Sequence, residues 1–217
     1  MDWALAIEKN RVALARVVAE IFALVGFVAG ARLSRGTYLA AERLLRPTES
    51  ALRRLIIIAA RGLVVKPSVS RPFPKGLVIV AGGQARMSFR LFDARKRFDF
   101  REPENPLLVM VKTYSSNPFN PFEFHQRRPE EPAASDYTLT LLRRLAAVKL
   151  ALENLPQQAI RMARWQAKRK TMDKPKFISP LRPGRPPGYR GELRSEIDFI
   201  LKETHGLACD VIVENSS

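Results

Sequence analysis

Cysteine and histidine are nearly absent. Cys209 is the one thiol in 217 residues, and His125 and His205 are the two histidines. A single cysteine excludes a disulfide framework within the chain and gives no sign of an oxidising compartment. Missing as well are His-x-x-x-His, Cys-x-x-Cys, a phosphate-cradling glycine loop and a nucleophile elbow. His205 and Cys209 are four residues apart and can share a helix face, but two ligands do not complete a zinc site. Asp93 and Asp99 flank Arg95, Lys96 and Arg97, a pattern of local charge balance and not of an acid–base pair. No catalytic residue, cofactor-binding residue or metal ligand is assigned, and the chain reads as a non-enzyme without a cofactor.

Acidic residues are also scarce. Lys and Arg number 37 against 21 Asp and Glu, a formal charge of +16. Such an excess attracts nucleic acid, an anionic membrane surface or an acidic protein, and says nothing about fold. The charge is uneven. From Arg143 to Arg190 thirteen basic residues face Glu153 and Asp173, whereas from Glu192 onward Arg194 and Lys202 face six acids. An acidic tail of this kind can fold back onto a basic region, although a plain solvated helix is the simpler expectation.

No charge-free stretch long enough for a bilayer opens the chain. Residues 12–31 come nearest, interrupted by Arg16 and Glu20. Their ten Val, Leu, Ile and Phe favour insertion by about 3–6 kcal/mol, and two central charges oppose it by about 5–7. The sum lies near zero, so a membrane helix within 12–33 competes closely with a helix packed on protein. Asp2 and Glu8 stand where the basic part of a signal peptide belongs, and the chain is expected to remain inside the cell.

What is present is helical periodicity, broken once. Residues 1–66 read as a helical region: a long N-terminal helix over 2–31, a short one ending at Arg46, and a third opened by Pro47-Thr48-Glu49. Residues 76–134 hold a small β element and a Pro/Phe-rich loop. Leu77–Ala81 and Met87–Phe92 flank Gly82-Gly83, and Met87, Phe89 and Leu91 alternate with polar residues, a hairpin signal. Leu107–Lys112 supplies a third strand. Residues 135–172 read as a basic helical hairpin turning at Pro156, with Leu141, Leu145, Val148, Leu152 and Leu155 as its packing seam. A Pro/Gly/Arg linker over 173–191 and an acidic tail helix over 192–217 follow. The fold expected is mostly α with a small central antiparallel β element, an α+β arrangement.

The candidate site is a polyanion-binding one. Arg161, Arg164 and Lys168 share a helix face beside Trp165, a guanidinium row with an indole that suits phosphates and membrane interfaces alike. Arg182, Arg185 and Arg190 extend it. Gly184-Arg185-Pro186 looks like the centre of an AT-hook, although Pro183 stands where a basic residue is usual. The repeated Asn-Pro-Phe at 117–119 and 120–122 reads as hydrophobic plugs tucking a loop onto the core.

Residues 1–8, 44–51, 89–93 and 179–190 together resemble an uncharacterised alphaproteobacterial family of hypothetical proteins. That resemblance implies a bacterial cytoplasm or inner membrane and carries no activity or site residues. The reading these features support is a non-catalytic, basic accessory protein on the cytoplasmic side of the bacterial inner membrane, with the cytoplasm as the other location. A nucleic-acid-associated protein using residues 143–190 is the alternative.

Overall fold

Among the described residues there are five helices, three of them opened by a side-chain cap. Asp2 Oδ1 accepts from the backbone N–H of Ala4 and Leu5, both at 3.1 Å, and so caps α1 (Trp3–Gly26). Ser34 caps α2 (Arg35–Ala59) by accepting from Thr37 N. Helices α3 (Ala134–Glu153) and α4 (Leu155–Lys170) follow. Half of a capping box opens α5 (Glu196–Glu214): Asp198 Oδ2 accepts from the Ser195 backbone N–H at 3.1 Å, and the Ser195 hydroxyl donates to the same oxygen at 2.7 Å. The computed structural model describes residues 2–26, 33–66, 88–93, 134–170 and 179–214.

Helix α2 is the axis, and each of the other four packs on it. Helix α1 turns Leu14, Val17, Val18, Ile21 and Val25 into the shared core. Each buried aliphatic side chain is worth about 1.5–3 kcal/mol, so core packing outweighs the near-zero sum for bilayer insertion. Among the described residues no helix is long and apolar enough to cross a membrane. Residues 27–32 of the candidate span lie outside the described residues.

Three expectations are corrected. First, among the described residues there is no strand, so the central β element is not supported. The segment 88–93 alternates because it lies on helices: Phe89, Leu91 and Asp93 point into the core and Ser88, Arg90 and Phe92 away from it. A helical layer beneath an extended segment produces the same period of two as a sheet face. Leu77–Ala81 and Leu107–Lys112 lie outside the described residues, as do His125 and both Asn-Pro-Phe copies.

Second, Pro47 does not divide two helices; α2 runs straight through it. Proline removes the donor that would bond the Arg43 carbonyl four residues back. Arg190 replaces that donor, its Nη2 reaching Arg43 O at 3.0 Å. The segment carrying Arg190 sits so close that a Cβ on Gly188 would lie 2.6 Å from Pro47 N. Third, the junction at Pro156 is a bend and not a hairpin. Asn154 N bonds Leu150 O and Gln158 N bonds Asn154 O, so helical hydrogen bonding continues from α3 into α4. Pro156, in the first turn of α4, lacks only a donor that a helix start leaves free anyway.

The acidic tail is a core helix. Ile197, Ile200, Leu201, Leu207, Ala208 and Val211 are buried, while Glu203, Glu196 and Glu214 pair with Lys9, Arg16 and Arg61 at 3.0, 3.7 and 2.8 Å. Exposed pairs of this kind are worth about 0–1 kcal/mol each, so the apolar face carries the docking.

Gly184 and Gly188 separate backbone strain from overlap. Both have positive φ, 78° and 83°, but only Gly188 meets a neighbour. Gly184→Ala is expected to lose about 1–2 kcal/mol through left-handed strain alone. Gly188→Ala adds overlap with the Pro47 backbone, for a total of about 2–5 kcal/mol. Urea unfolding of the two variants checks this; equal losses would mean that the turn does not press on α2.

Candidate polyanion-binding surface

The surface is positioned from inside the core, where adjacent arginines sit in the apolar run of α2. The Arg54 and Asp93 side chains are both 0% exposed, with Nη2 and Oδ2 3.2 Å apart. Arg54 Nη1 donates to Ser50 O at 2.8 Å and Ser50 Oγ at 2.6 Å, and its Nε donates to His205 Nδ1 at 3.1 Å. Burial pushes the Arg54 pKa down and Asp93 opposes the shift; an arginine stays charged regardless, so Asp93 is its required counter-ion. Arg53 Nη1 lies 3.6 Å from the other Asp93 oxygen, and its Nε donates to Arg90 O at 2.9 Å. Asp93 also ties down the turn before α5: its N–H donates to Pro180 O, and its Oδ2 accepts from Arg182 N.

This clamp fixes segment 88–93 against α4. Arg161 Nη1 donates to Phe89 O at 3.4 Å and to Gln158 Oε1 at 2.9 Å. The Phe92 ring meets the Trp165 ring edge-on, centroids 5.1 Å apart, and Arg169 lies 5.9 Å from the Trp165 ring. Arg161, Arg164 and Lys168 are exposed along one side of α4, with Trp165 half-buried beside them. The structure therefore brings these four predicted residues together and adds Phe92, Arg169 and exposed Arg90. Arg169 follows Trp165 by four positions, a legible helical spacing. Phe92 has no local signal, because its position depends on Asp93.

Arg182 and Arg190 are instead engaged with backbone carbonyls. Two Arg182 nitrogens donate to Arg185 O at 2.9 and 2.8 Å, and Arg190 serves Arg43. Arg185 is exposed, its guanidinium 5.9 Å from the Tyr189 ring. With Gly184 and Gly188 in turns, this stretch lacks the extended backbone of an AT-hook. Arg144, counted within the basic stretch, is likewise engaged with Glu42 at 2.7 Å and Glu49 at 2.9 Å. Burial lowers its pKa, but the two carboxylates outweigh that and raise it.

His205 and Cys209 do meet, with Sγ 3.9 Å from Nδ1. That nitrogen already accepts from Arg54, so the ring carries its proton on Nε2 and is not placed to activate the thiol. Among the described residues no group of three or more His, Cys, Asp or Glu can hold a metal ion. Compared with protein-family models, curated proteins and solved structures, the chain matches none.

Removing Asp93 strands a buried cation. Asp93→Ala is expected to cost about 3–5 kcal/mol, most of the stability of a marginal domain, whereas Glu203→Ala at an exposed pair costs about 0–1. Similar melting temperatures for the two variants would contradict the buried pair. His205 gives a pH signature. Burial and then the charge of Arg54 hold its pKa below 6.5, with Asp93 opposing. The folded chain thus binds fewer protons than the unfolded one, and stability falls as pH drops through the interval below about 6.5. Urea midpoints at neutral and mildly acid pH should separate more for the wild type than for His205→Gln; identical pH dependence would exclude the histidine.

Proposed function

We propose that the protein is a non-catalytic accessory protein that rests on an anionic membrane surface through the basic face of α4. The observation that carries this reading is the exposed row Arg161, Arg164 and Lys168 beside the Trp165–Phe92 aromatic pair. Arginine and lysine at headgroup depth, with an amphipathic indole among them, are what an anionic interface selects. The core packing of α1 supports a peripheral attachment and not an embedded one. The cytoplasmic side of a bacterial inner membrane is the location that fits, given the resemblance to an alphaproteobacterial family. One observation favours a second reading, in nucleic-acid binding: Trp165 and Phe92 can stack bases while the same row holds phosphates.

Changing Arg161, Arg164 and Lys168 together to Glu tests both. Near an anionic bilayer each basic residue is worth about 1 kcal/mol, so vesicle affinity should fall by about two orders of magnitude from neutralisation alone. If a random-sequence duplex is the ligand, the salt dependence of binding should flatten by nearly three units of slope. Circular dichroism confirms that the variant is folded. Wild-type protein that ignores both ligands would overturn both readings and assign the charge to an acidic protein.

A further inference from the structure

Helix α3 buries one leucine seam and displays another. Leu141, Leu145, Val148 and Leu152 are in the core, whereas Leu139, Leu142 and Leu150 lie on the opposite side, 50%, 38% and 46% exposed. With half-buried Ala146 they occupy positions i, i+3, i+7 and i+11, a single helical stripe. Two cations border it: Arg143 on one flank and Lys149 on the other, both exposed. Because helical bonding continues through Asn154, the same stripe runs on into α4 as Gln157, Ile160, Arg161, Arg164 and Lys168. An apolar half and a basic half thus share one outer face of one bent helix.

We infer that this face is a lipid-contact surface in which Leu139, Leu142 and Leu150 enter the acyl boundary of an anionic bilayer while the flanking and following cations hold its headgroups. The inference rests on the membrane reading above and moves the apolar contact from α1 to α3. Charge selects the occupant. A partner helix lying along the stripe would need acids opposite both flanks, and a second copy of this chain would bring Arg143 and Lys149 against the same cations. Anionic headgroups surround inserted leucines on every side, which matches cations on both borders. Glu153 is the one acid on the exposed stripe, and Lys149 approaches it at 3.9 Å.

The test uses the full chain with vesicles of phosphatidylcholine plus phosphatidylglycerol, and with phosphatidylcholine alone. Changing Leu139, Leu142 and Leu150 together to Gln should weaken binding to the mixed vesicles about a hundredfold and abolish the part that survives high salt, leaving the salt slope unchanged. In a Cys209→Ser background, Leu142→Cys carrying an environment-sensitive fluorophore should shift to an apolar signal on the mixed vesicles. If the glutamine variant binds like the wild type and the fluorophore stays in water, this inference falls while the α4 reading stands. If the wild type pellets with neither vesicle, both fall. Concentration-dependent dimers that the glutamine variant cannot form would then assign the stripe to a second copy.

Discussion

A guanidinium with no water around it must find an anion, and Arg54 finds Asp93, 39 residues further along the chain. Much of the molecule is arranged around that requirement. Meeting Asp93 carries segment 88–93 across α2, which puts Phe89 and Leu91 into the core and Phe92 against Trp165. Asp93 in turn holds the turn at Pro180–Arg182, and the Arg54 Nε–H reaches His205 on α5. A buried pair of this kind need not stabilise more than well-packed apolar residues would. Breaking it is what costs, so it acts on which arrangement is allowed more than on total stability. Here it selects one register for three chain segments on one helix.

The helices were legible wherever local periodicity decided them. The N-terminal helix, the final helix and the buried seam Leu141, Leu145, Val148, Leu152 and Leu155 follow from spacing alone. Apart from the bend at Pro156, which local hydrogen bonds decide, the departures share a cause in distant partners. Pro47 looks like a boundary until Arg190, 147 residues beyond Arg43, supplies the donor that the Arg43 carbonyl lacks. Phe89 and Leu91 alternate as a strand would, because extended backbone on a helical layer also turns every second side chain inward. Asp93 reads as balancing the neighbouring Arg95, Lys96 and Arg97, and among the described residues its ion-pair partners are Arg53 and Arg54. The sign of such a pair was visible in the sequence: two arginines inside the apolar run at 52–58 need a counter-charge somewhere.

Charge shows the same division between sum and placement. A count over residues 143–190 treats every arginine alike, but the fold sorts them. Arg144 is held by two carboxylates of α2, Arg182 and Arg190 bond backbone carbonyls, and the acids of α5 pair with Lys9, Arg16 and Arg61 on the far elements. Exposed cations of the described residues line the outer face of α3 and α4: Arg143, Lys149, Arg161, Arg164 and Lys168. Of the seven arginine, lysine and tryptophan positions singled out in the sequence, Arg161, Arg164 and Lys168 on α4 and Arg185 and Arg190 in the turn are exposed, but in the turn Arg182 and Arg190 spend donors on backbone carbonyls. A Pro/Gly/Arg stretch that docks on Pro47 uses these donors to satisfy carbonyls.

The N-terminal helix illustrates how tertiary packing resolves a balance that composition leaves open. Its insertion sum was near zero, so a modest gain on either side decides. Five aliphatic side chains meeting α2, α3 and α5 supply far more than that, and drawing them out into lipid would expose the facing residues of α2. An apolar stripe already facing protein cannot face lipid as well. Any membrane contact is therefore left to apolar residues the core does not use, and on α3 those residues lie between cations.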